Sequence, residues 1–264
     1  MAMNQAVAAL LSVKGLSRSF DGVKAVAELS FTINQGGITA LIGPNGAGKT
    51  TVFNVITGFL RPDSGHVRFV GEEITRKSPD VIARKGIGRT FQDCKAFEQL
   101  PVMDNVMLAF EDVANESLSV ALMRSRAMLA SEQDKSDRAC ALLDQVGLIG
   151  KKNDMAGNLS FGQKKLLELC RVQALNPKLV LLDEPMSGLF PAMIVTMMEM
   201  IRKFRDAGKT VVFIEHNMKA VMDLSDRILV LNFGQLIADG SPDAIQNDPA
   251  VLDAYLGRRI RHAT

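Results

Sequence analysis

The sequence predicts an α/β fold in which helices cover both faces of a largely parallel sheet. Apolar runs typical of strands alternate with helical stretches: the strands are expected at 37–43, 66–71, 179–184 and 210–216, and the helices at about 48–59 and 191–206. Strands that are apolar at nearly every position are typical of a sheet buried on both faces. Their alternation with helices favours parallel pairing of the strands.

The composition is that of an ordinary globular protein. The chain has 264 residues, of which 47% are hydrophobic and 23% are charged. A domain takes roughly 100–200 residues, so this length predicts one or two domains. The 31 basic and 29 acidic residues leave a net charge of +2. Because strong nucleic-acid binders carry clustered basic residues, this mixed and nearly neutral balance argues against nucleic acid as a partner.

Cysteine usage and hydropathy bear on the compartment of the protein. Cys94, Cys140 and Cys170 are widely spaced and odd in number, which predicts reduced thiols in a cytosolic protein. The uncharged opening at 1–13 lacks the basic stretch of a signal peptide. No run reaches the roughly 18 apolar residues that a spanning helix needs. We therefore expect any membrane association to run through another polypeptide or through the protein surface.

The middle and the end of the chain differ from the alternating pattern. The section at 94–158 is poor in β-branched runs and rich in helix formers, as at 121–148, and it predicts a helical insertion. The polar centre of this insertion, 131–138, is equally compatible with a solvated helix face. Further on, 226–240 predicts a hairpin with its turn at 232–234.

The segment at 43–50, GPNGAGKT, predicts a phosphate-binding loop. It matches G-x-x-x-x-G-K-[ST] between an apolar strand and a helix, the context that this motif requires. Its glycines allow backbone N–H groups to approach phosphate oxygens at the positive end of the helix. Lys49 would place a charge near the β- and γ-phosphates, and the Thr50 hydroxyl would bind Mg²⁺. The residues expected to contact nucleotide are Gly43, Pro44, Asn45, Gly46, Ala47, Gly48, Lys49, Thr50 and Thr51.

Acidic and histidine side chains follow two other predicted strands. Asp183 and Glu184 end LVLLDEP, and His216 ends TVVFIEH. Ligands of open α/β sheets gather beyond the carboxyl ends of the strands. Asp183 is therefore a candidate to serve Mg²⁺, and Glu184 a candidate general base for an attacking water. A histidine beside a γ-phosphate can donate a hydrogen bond to it and hold that water. The alternatives are a solvated strand end for the acids and a structural role for His216.

The stretch NLSFGQKKLLELC, 158–170, opens with a capping box. Ser160 followed three residues later by Gln163 is the S-x-x-Q pattern of a helix N-terminus. One interpretation is a capped helix and nothing more. The other is an anion site, because such an end exposes the Ser160 hydroxyl and the Gly162 N–H group.

Taken together, the motifs resemble those of the nucleotide-binding subunit of an ABC transporter. They occur in the order of that family, and the resemblance covers nearly all of 7–257: GPNGAGKTT, RTFQ (89–92), LSFGQ (159–163), LVLLDEP and VVFIEH. The resemblance implies one nucleotide-binding domain over 1–264 with the P-loop NTPase fold. In that fold a RecA-like core, about 1–93 and 159–264, includes an N-terminal antiparallel β subdomain, and a helical subdomain covers about 94–158.

The resemblance also implies roles that the residues alone do not. Gln92 would reach Mg²⁺ and the lytic water. Phe20 would stack on adenine, with Val26 packed nearby. The LSFGQ stretch, with Ser160, Gly162 and Gln163, would bind the γ-phosphate of a nucleotide held by a second subunit. The family forms this arrangement head to tail, so that two ATP molecules lie between two subunits.

One position departs from the family pattern. In EPMSGLFP, Phe190 stands where the family usually has Asp or Asn. That loop normally crosses the subunit interface and links the two sites. We therefore expect Phe190 to make apolar contacts at the interface and to weaken communication between the sites.

Three stretches are similar to the ATP subunits of branched-chain amino acid importers: GIGRTFQ, LSFGQKK and VLDAYLG (251–257). This similarity implies ATP and Mg²⁺ as ligands, and a second ATP-binding subunit and integral membrane permeases as partners. A periplasmic binding protein would be an indirect partner, and the protein would lie on the cytoplasmic face of the membrane. Related subunits serve other amino acids, urea or amides, and one serves lipopolysaccharide export. A soluble ABC ATPase without a permease, acting in assembly or repair, is the alternative from another class.

Overall fold

A computed structural model describes residues 9–91, 96–110 and 126–261, with side chains in the last range described from 132 to 255. The strands are β1 (Ala9–Phe20), β2 (Val23–Asn34), β3 (Ile38–Ile42), β4 (Ser64–Phe69), β5 (Glu72–Glu73), β6 (Ile87–Arg89), β7 (Leu179–Asp183), β8 (Thr210–Ile214), β9 (Arg227–Asn232) and β10 (Gln235–Gly240). The helices are α1 (Lys49–Ile56), α2 (Pro79–Arg84), α3 (Val102–Met107), α4 (Arg126–Gln145), α5 (Phe161–Ala174), α6 (Pro191–Asp206), α7 (Met218–Leu224), α8 (Pro242–Gln246) and α9 (Pro249–Arg261).

The chain forms two compact units. The first comprises the residues up to Arg89, Lys178–Ser187 and the residues from Ile201 onward. The second comprises Thr90–Pro177 and Gly188–Met200. Within the described ranges, no helix is both long enough and apolar enough to cross a membrane.

The first unit contains two sheets. The larger has the order β10-β9-β3-β8-β7-β6, in which the strands from β9 to β6 are parallel and β10 is antiparallel. The smaller is antiparallel, with the order β2-β1-β4-β5. All five residues of β3, β7 and β8 are buried, as is typical of parallel strands that are enclosed on both faces. The predicted α/β fold with a mixed, mainly parallel sheet and an N-terminal antiparallel sheet is confirmed.

One strand lies in a different sheet from the one predicted. The run at 66–71 was expected beside the parallel strands, but it lies in β4, which pairs antiparallel with β1. Val67 and Phe69 are buried, whereas His66 and Arg68 are exposed. This alternation is typical of a strand with one face on the core and the other in solvent.

The hairpin predicted near the C-terminus is confirmed. β9 and β10 pair antiparallel, with Asn232 opposite Gln235, and the turn lies at Phe233 and Gly234. Both turn residues have positive φ values, 47° and 77°. A Cβ atom on Gly234 would lie 2.7 Å from the carbonyl oxygen of Ala25, so the turn packs closely against β2.

The second unit is helical. α3, α4 and α5 pack together, and the Cys170 thiol of α5 lies 3.4 Å from the Leu142 carbonyl of α4. α4 falls within the stretch predicted to be helical, and its polar centre is largely solvent-exposed. Because α5 packs on this bundle, the unit extends to Pro177, whereas the predicted helical section ends at 158.

The described cysteines are thiols, as predicted. Cys140 is partly buried and Cys170 is buried, and neither forms a disulfide. Burial of the Cys170 side chain disfavours the thiolate and raises its pKa to about 12. Cys94 lies outside the described residues.

Candidate active site

The loop between β3 and α1 is held closed by its own lysine. The Lys49 ammonium donates hydrogen bonds to the carbonyl oxygens of Gly43, at 2.8 Å, and Pro44, at 3.0 Å. The Lys49 residue is only 6% exposed. Its positive charge therefore lies inside the curve of the loop, and its predicted phosphate contact stays a prediction.

Two glycines of this loop are required by close backbone packing. Gly43 has a φ of 149°, and a Cβ atom there would lie 2.0 Å from the Leu231 carbonyl oxygen. Gly48 has a φ of 97°, and a Cβ atom there would lie 2.3 Å from the Ala25 carbonyl oxygen. Any side chain at either position would displace the loop from its neighbouring strands. These glycines therefore fix the position of the loop as well as its curvature.

The N-terminal end of α1 fits a phosphate group. Its N-cap is Gly48, no side chain caps the first turn, and that turn contains no acidic residue. The first N–H groups of a helix have no partner within it, and they favour negative charge. Within the loop, Asn45, Gly46 and Thr50 are exposed, whereas Pro44 and Ala47 are buried. Thr51, the next residue of the helix, is half-buried.

Asp183 ends β7 within a buried ion pair that the sequence did not reveal. An Arg89 Nη2 atom lies 3.1 Å from Asp183 Oδ2, and the two side chains are 6% and 2% exposed. Arg89 also donates to Asn54 Oδ1, at 2.8 Å, and to Thr57 Oγ1, at 2.9 Å. Burial raises the pKa of Asp183, and the charge of Arg89 opposes that rise. The pair therefore links the end of β7 to helix α1.

Oxygen donors for a divalent cation are present in this unit. Thr50 offers a hydroxyl and Asp183 a carboxylate, and hard cations such as Mg²⁺ prefer oxygen ligands. This chemistry fits Mg²⁺. Gln92, the third predicted ligand, lies outside the described residues.

Glu184 and His216 meet at the edge of the parallel sheet. His216 Nε2 lies 2.9 Å from Glu184 Oε1. Their strands are parallel neighbours, with Asp183 opposite Ile214, so both side chains emerge at the carboxyl ends of β7 and β8. Glu184 has a φ of 49°, a left-handed conformation that is strained for a residue with a side chain and that clusters at functional sites. The arrangement supplies a carboxylate and an imidazole to one reacting group.

The residues predicted to hold the nucleotide base have unequal exposure. Phe20 ends β1 with 39% of its surface exposed, and the Arg18 guanidinium lies 4.9 Å from the centre of its ring. Val26 is fully buried and lies against Gly48. It therefore supports the phosphate-binding loop from the core. The predicted adenine contacts of both residues stay predictions.

The predicted capping box is present at the start of α5. The Gln163 N–H group donates to Ser160 Oγ at 3.3 Å, and the Ser160 N–H group donates to Gln163 Oε1 at 3.1 Å. A Cβ atom on Gly162 would lie 2.5 Å from Met193 Sδ. Glycine at this position therefore allows α5 to pack on the start of α6. The Ser160 side of the helix end remains exposed.

Phe190 immediately precedes α6 and is 79% exposed. Its predicted contact with a second subunit stays a prediction.

The chain matches the family model described as ABC transporter over residues 26–187, and that described as branched-chain amino acid ATP-binding cassette transporter over 235–260. It is 39% identical to the branched-chain amino acid transport ATP-binding proteins BraF of Pseudomonas aeruginosa and LivG of Salmonella typhimurium. Each match covers 94% of this chain and 98% of the relative. The lipopolysaccharide export ATP-binding protein LptB of Escherichia coli is 34% identical, over 96% of this chain and 99% of LptB.

Solved structures agree with these relationships. A nucleotide-free ATP-binding cassette from an ABC transporter superposes with a TM-score of 0.79 at 31% identity, covering 94% of this chain and 98% of the other. An ATP-binding cassette in its ADP conformation gives a TM-score of 0.78 at 31% identity, covering 94% and 99%. Since the family model spans more than half of the chain and these relatives align over nearly all of it, the chain belongs to the ATP-binding subunits of the ABC transporter family.

Proposed function

We propose that this ATP-hydrolysing subunit binds Mg-ATP between two subunits and energises uptake of branched-chain amino acids through membrane permeases. The proposal includes other amino acids, urea and amides as alternative transported molecules. The observation that carries the mechanism is the 2.9 Å contact between Glu184 and His216 at the edge of the sheet. The identity to BraF and LivG over nearly the whole chain supports the choice of importer.

The phosphate-binding loop positions the substrate. Lys49 and the first N–H groups of α1 bind the phosphate tail, and the charge of Lys49 stabilises the negative charge that develops during phosphoryl transfer. The enclosed Lys49 ammonium and the helix N-terminus without a side-chain cap support this role. Thr50, Asp183 and Gln92 would hold Mg²⁺, which would neutralise phosphate charge when bound. Phe20 stacks on adenine.

The glutamate and the histidine act on the attacking water. Glu184 accepts a proton from this water as the general base, and His216 orients the water and the γ-phosphate. The LSFGQ stretch of the second subunit, with Ser160, Gly162 and Gln163, covers the γ-phosphate. Two-fold symmetry lets each subunit complete the site of the other.

ATP binding closes the pair of subunits, and hydrolysis reopens it. The helical section transmits this movement to the permeases on the cytoplasmic face of the membrane. A periplasmic binding protein delivers the transported molecule on the other side.

The hydrolytic step is tested with the variant Glu184→Gln. We expect turnover to fall about 100-fold or more, because a positioned general base contributes about 10²–10⁴ in rate. ATP affinity, measured with a fluorescent analogue, should persist, and size-exclusion chromatography should show an ATP-dependent dimer. The control is Lys49→Ala, which should lose ATP affinity. Full turnover in Glu184→Gln would refute the assigned base.

The transport assignment is tested by purification from native membranes. Co-purification with integral membrane permeases, followed by ATP-dependent uptake of leucine in proteoliposomes, is the expected result. The match to LptB favours lipopolysaccharide export as a second candidate. Extraction of lipopolysaccharide without leucine uptake would select that candidate, and an active ATPase with no membrane partner would select the soluble alternative.

A further inference from the structure

A second acidic residue, Glu215, lies beside the pair formed by Glu184 and His216. It follows β8 directly and precedes His216 in the chain. Unlike Glu184, it is almost completely buried, with 4% of its surface exposed. Because its carboxylate is enclosed and both of its oxygens accept backbone hydrogen bonds, Glu215 is a weaker candidate for the general base than the more exposed Glu184.

The Glu215 carboxylate connects two loops. Its Oε1 atom accepts a hydrogen bond from the Met186 N–H group at 2.6 Å, within the loop that follows Glu184. Its Oε2 atom accepts from the N–H groups of His216, at 3.0 Å, and Asn217, at 3.4 Å. The backbones of β7 and β8 are joined up to the hydrogen bond from the Glu184 N–H group to the Ile214 carbonyl, at 3.0 Å. Beyond that point the Glu215 side chain joins the two loops that follow these strands.

The loop that Glu215 holds contains the strained position. Glu184 has a φ of 49°, and its carbonyl accepts from the Ser187 N–H group at 3.2 Å, which closes a tight turn around Met186. A strained conformation persists only where its surroundings enforce it. The hydrogen bond from the Met186 N–H group to Glu215 restrains this turn. The hydrogen bond from the His216 N–H group to the same carboxylate fixes the backbone where the chain leaves β8.

We propose that Glu215 is a positioning residue that sets the geometry of Glu184 and His216 by tying their two loops together. This inference rests on the proposed hydrolytic function. Hydrogen bonds from backbone N–H groups to a carboxylate are charge-assisted and therefore stronger than neutral ones, so they can hold both loops while the nucleotide site opens and closes.

The variant Glu215→Gln separates this role from simple packing. Glutamine has nearly the same shape, but it offers one accepting oxygen, and its NH₂ group cannot accept the second N–H. We expect kcat to fall about 10- to 100-fold, the order of loss that a small misplacement of a catalytic group causes. Because the hydrogen bonds of the Glu215 carboxylate go to the loops that follow β7 and β8, KM and ATP affinity should change by no more than about threefold. Glu199→Gln is the control, since Glu199 makes the same charge change on an exposed face of α6.

A double-mutant cycle with His216→Ala gives the decisive readout. If Glu215 acts by aligning the pair, Glu215→Gln should lower kcat more in the wild-type background than in His216→Ala, where only the loop of Glu184 is left to misplace. Urea denaturation should show the same stability loss in both backgrounds. Equal fold-losses of kcat in the two backgrounds, or no loss in either, would overturn the inference.

Two further variants keep the outcome interpretable. If Glu215→Gln folds poorly, Glu215→Asp takes its place in the double-mutant cycle with His216→Ala. Aspartate keeps the charge, but its side chain is shorter by one methylene group. Glu184→Gln is measured alongside. Full turnover in Glu184→Gln contradicts the proposed function itself. If Glu184→Gln loses turnover as expected, but Glu215→Gln lowers kcat by the same factor with and without His216, only the role of Glu215 is contradicted.

Discussion

The ion pair between Arg89 and Asp183 illustrates how a buried charge is satisfied at the scale of a residue. Asp183 would be costly to bury alone, because the interior disfavours its charged form. Arg89 provides the opposite charge, and its Nη1 atom donates hydrogen bonds to Asn54 and Thr57. Arg89 is the first residue of the RTFQ motif, three residues before Gln92. This part of the motif therefore has a structural role, the neutralisation of the buried Asp183 charge.

Removing the arginine should destabilise the protein strongly. Arg89→Met is expected to lower the free energy of unfolding by about 3–5 kcal/mol, because it leaves Asp183 as an uncompensated buried charge. Urea denaturation followed by circular dichroism measures this loss. Arg61→Met, at an exposed position of the same unit, is the matched control and should change stability by less than about 0.5 kcal/mol. A loss below about 1 kcal/mol in Arg89→Met would contradict the ion pair.

At the scale of an element, helix α5 combines a structural cap with a candidate ligand site. Ser160 and Gln163 satisfy the first N–H groups of the helix reciprocally, and Gly162 permits close packing against Met193. A helix that binds no ligand would also need such a cap and such close packing. The capping box alone therefore does not distinguish a cap from a phosphate site.

Two substitutions of Ser160 make that distinction. Ser160→Ala removes the cap and should cost about 1 kcal/mol of stability. Ser160→Asp retains a good cap, but it places a negative charge where the γ-phosphate of the partner's ATP is proposed to bind. In the Glu184→Gln background we expect Ser160→Asp to be the more stable of the two and the weaker in ATP-dependent dimerisation. Dimerisation that simply follows stability would indicate a cap and nothing more.

At the scale of the whole molecule, the proposed active unit is a pair of subunits. The motifs of one chain divide into a phosphate-binding group, with Lys49, Asp183, Glu184 and His216, and the LSFGQ stretch on the helical unit. The first group lies at the carboxyl ends of neighbouring strands β3, β8 and β7. In the proposed dimer, each nucleotide contacts the first group of one subunit and the LSFGQ stretch of the other.

Phe190 provides a test of communication within that pair. Phe190→Asp restores the acidic residue usual in the family, and we expect a changed hydrolysis rate with a higher Hill coefficient for ATP. The physical reason is that a polar contact across the interface replaces an apolar one. Phe233→Asp, which alters a ring that is 70% exposed in the β9–β10 turn, is the control. If neither the rate nor the cooperativity responds in Phe190→Asp, the proposed interface role of Phe190 is wrong.

Short-range pattern was enough to predict much of the fold. Five-residue apolar strands such as β7, the whole extent of α6 at 191–206, the β9–β10 hairpin and the capping box at Ser160 all follow from residues near one another in the chain. Such features depend on periodicity, turn chemistry and capping, which act locally. The assignment of β4 to the smaller sheet did not follow, because strand pairing depends on partners far away in the sequence.

The sequence by itself determined the chemical groups: a lysine in a glycine-rich loop, acids at the end of one strand and a histidine at the end of another. Only the tertiary structure decided how these groups meet. The 2.9 Å contact of Glu184 with His216, the pairing of Arg89 with Asp183, and the link from Glu215 to Met186 join residues that are 29 to 94 positions apart. Contacts of this kind arise from strand order and burial, and no local pattern encodes them.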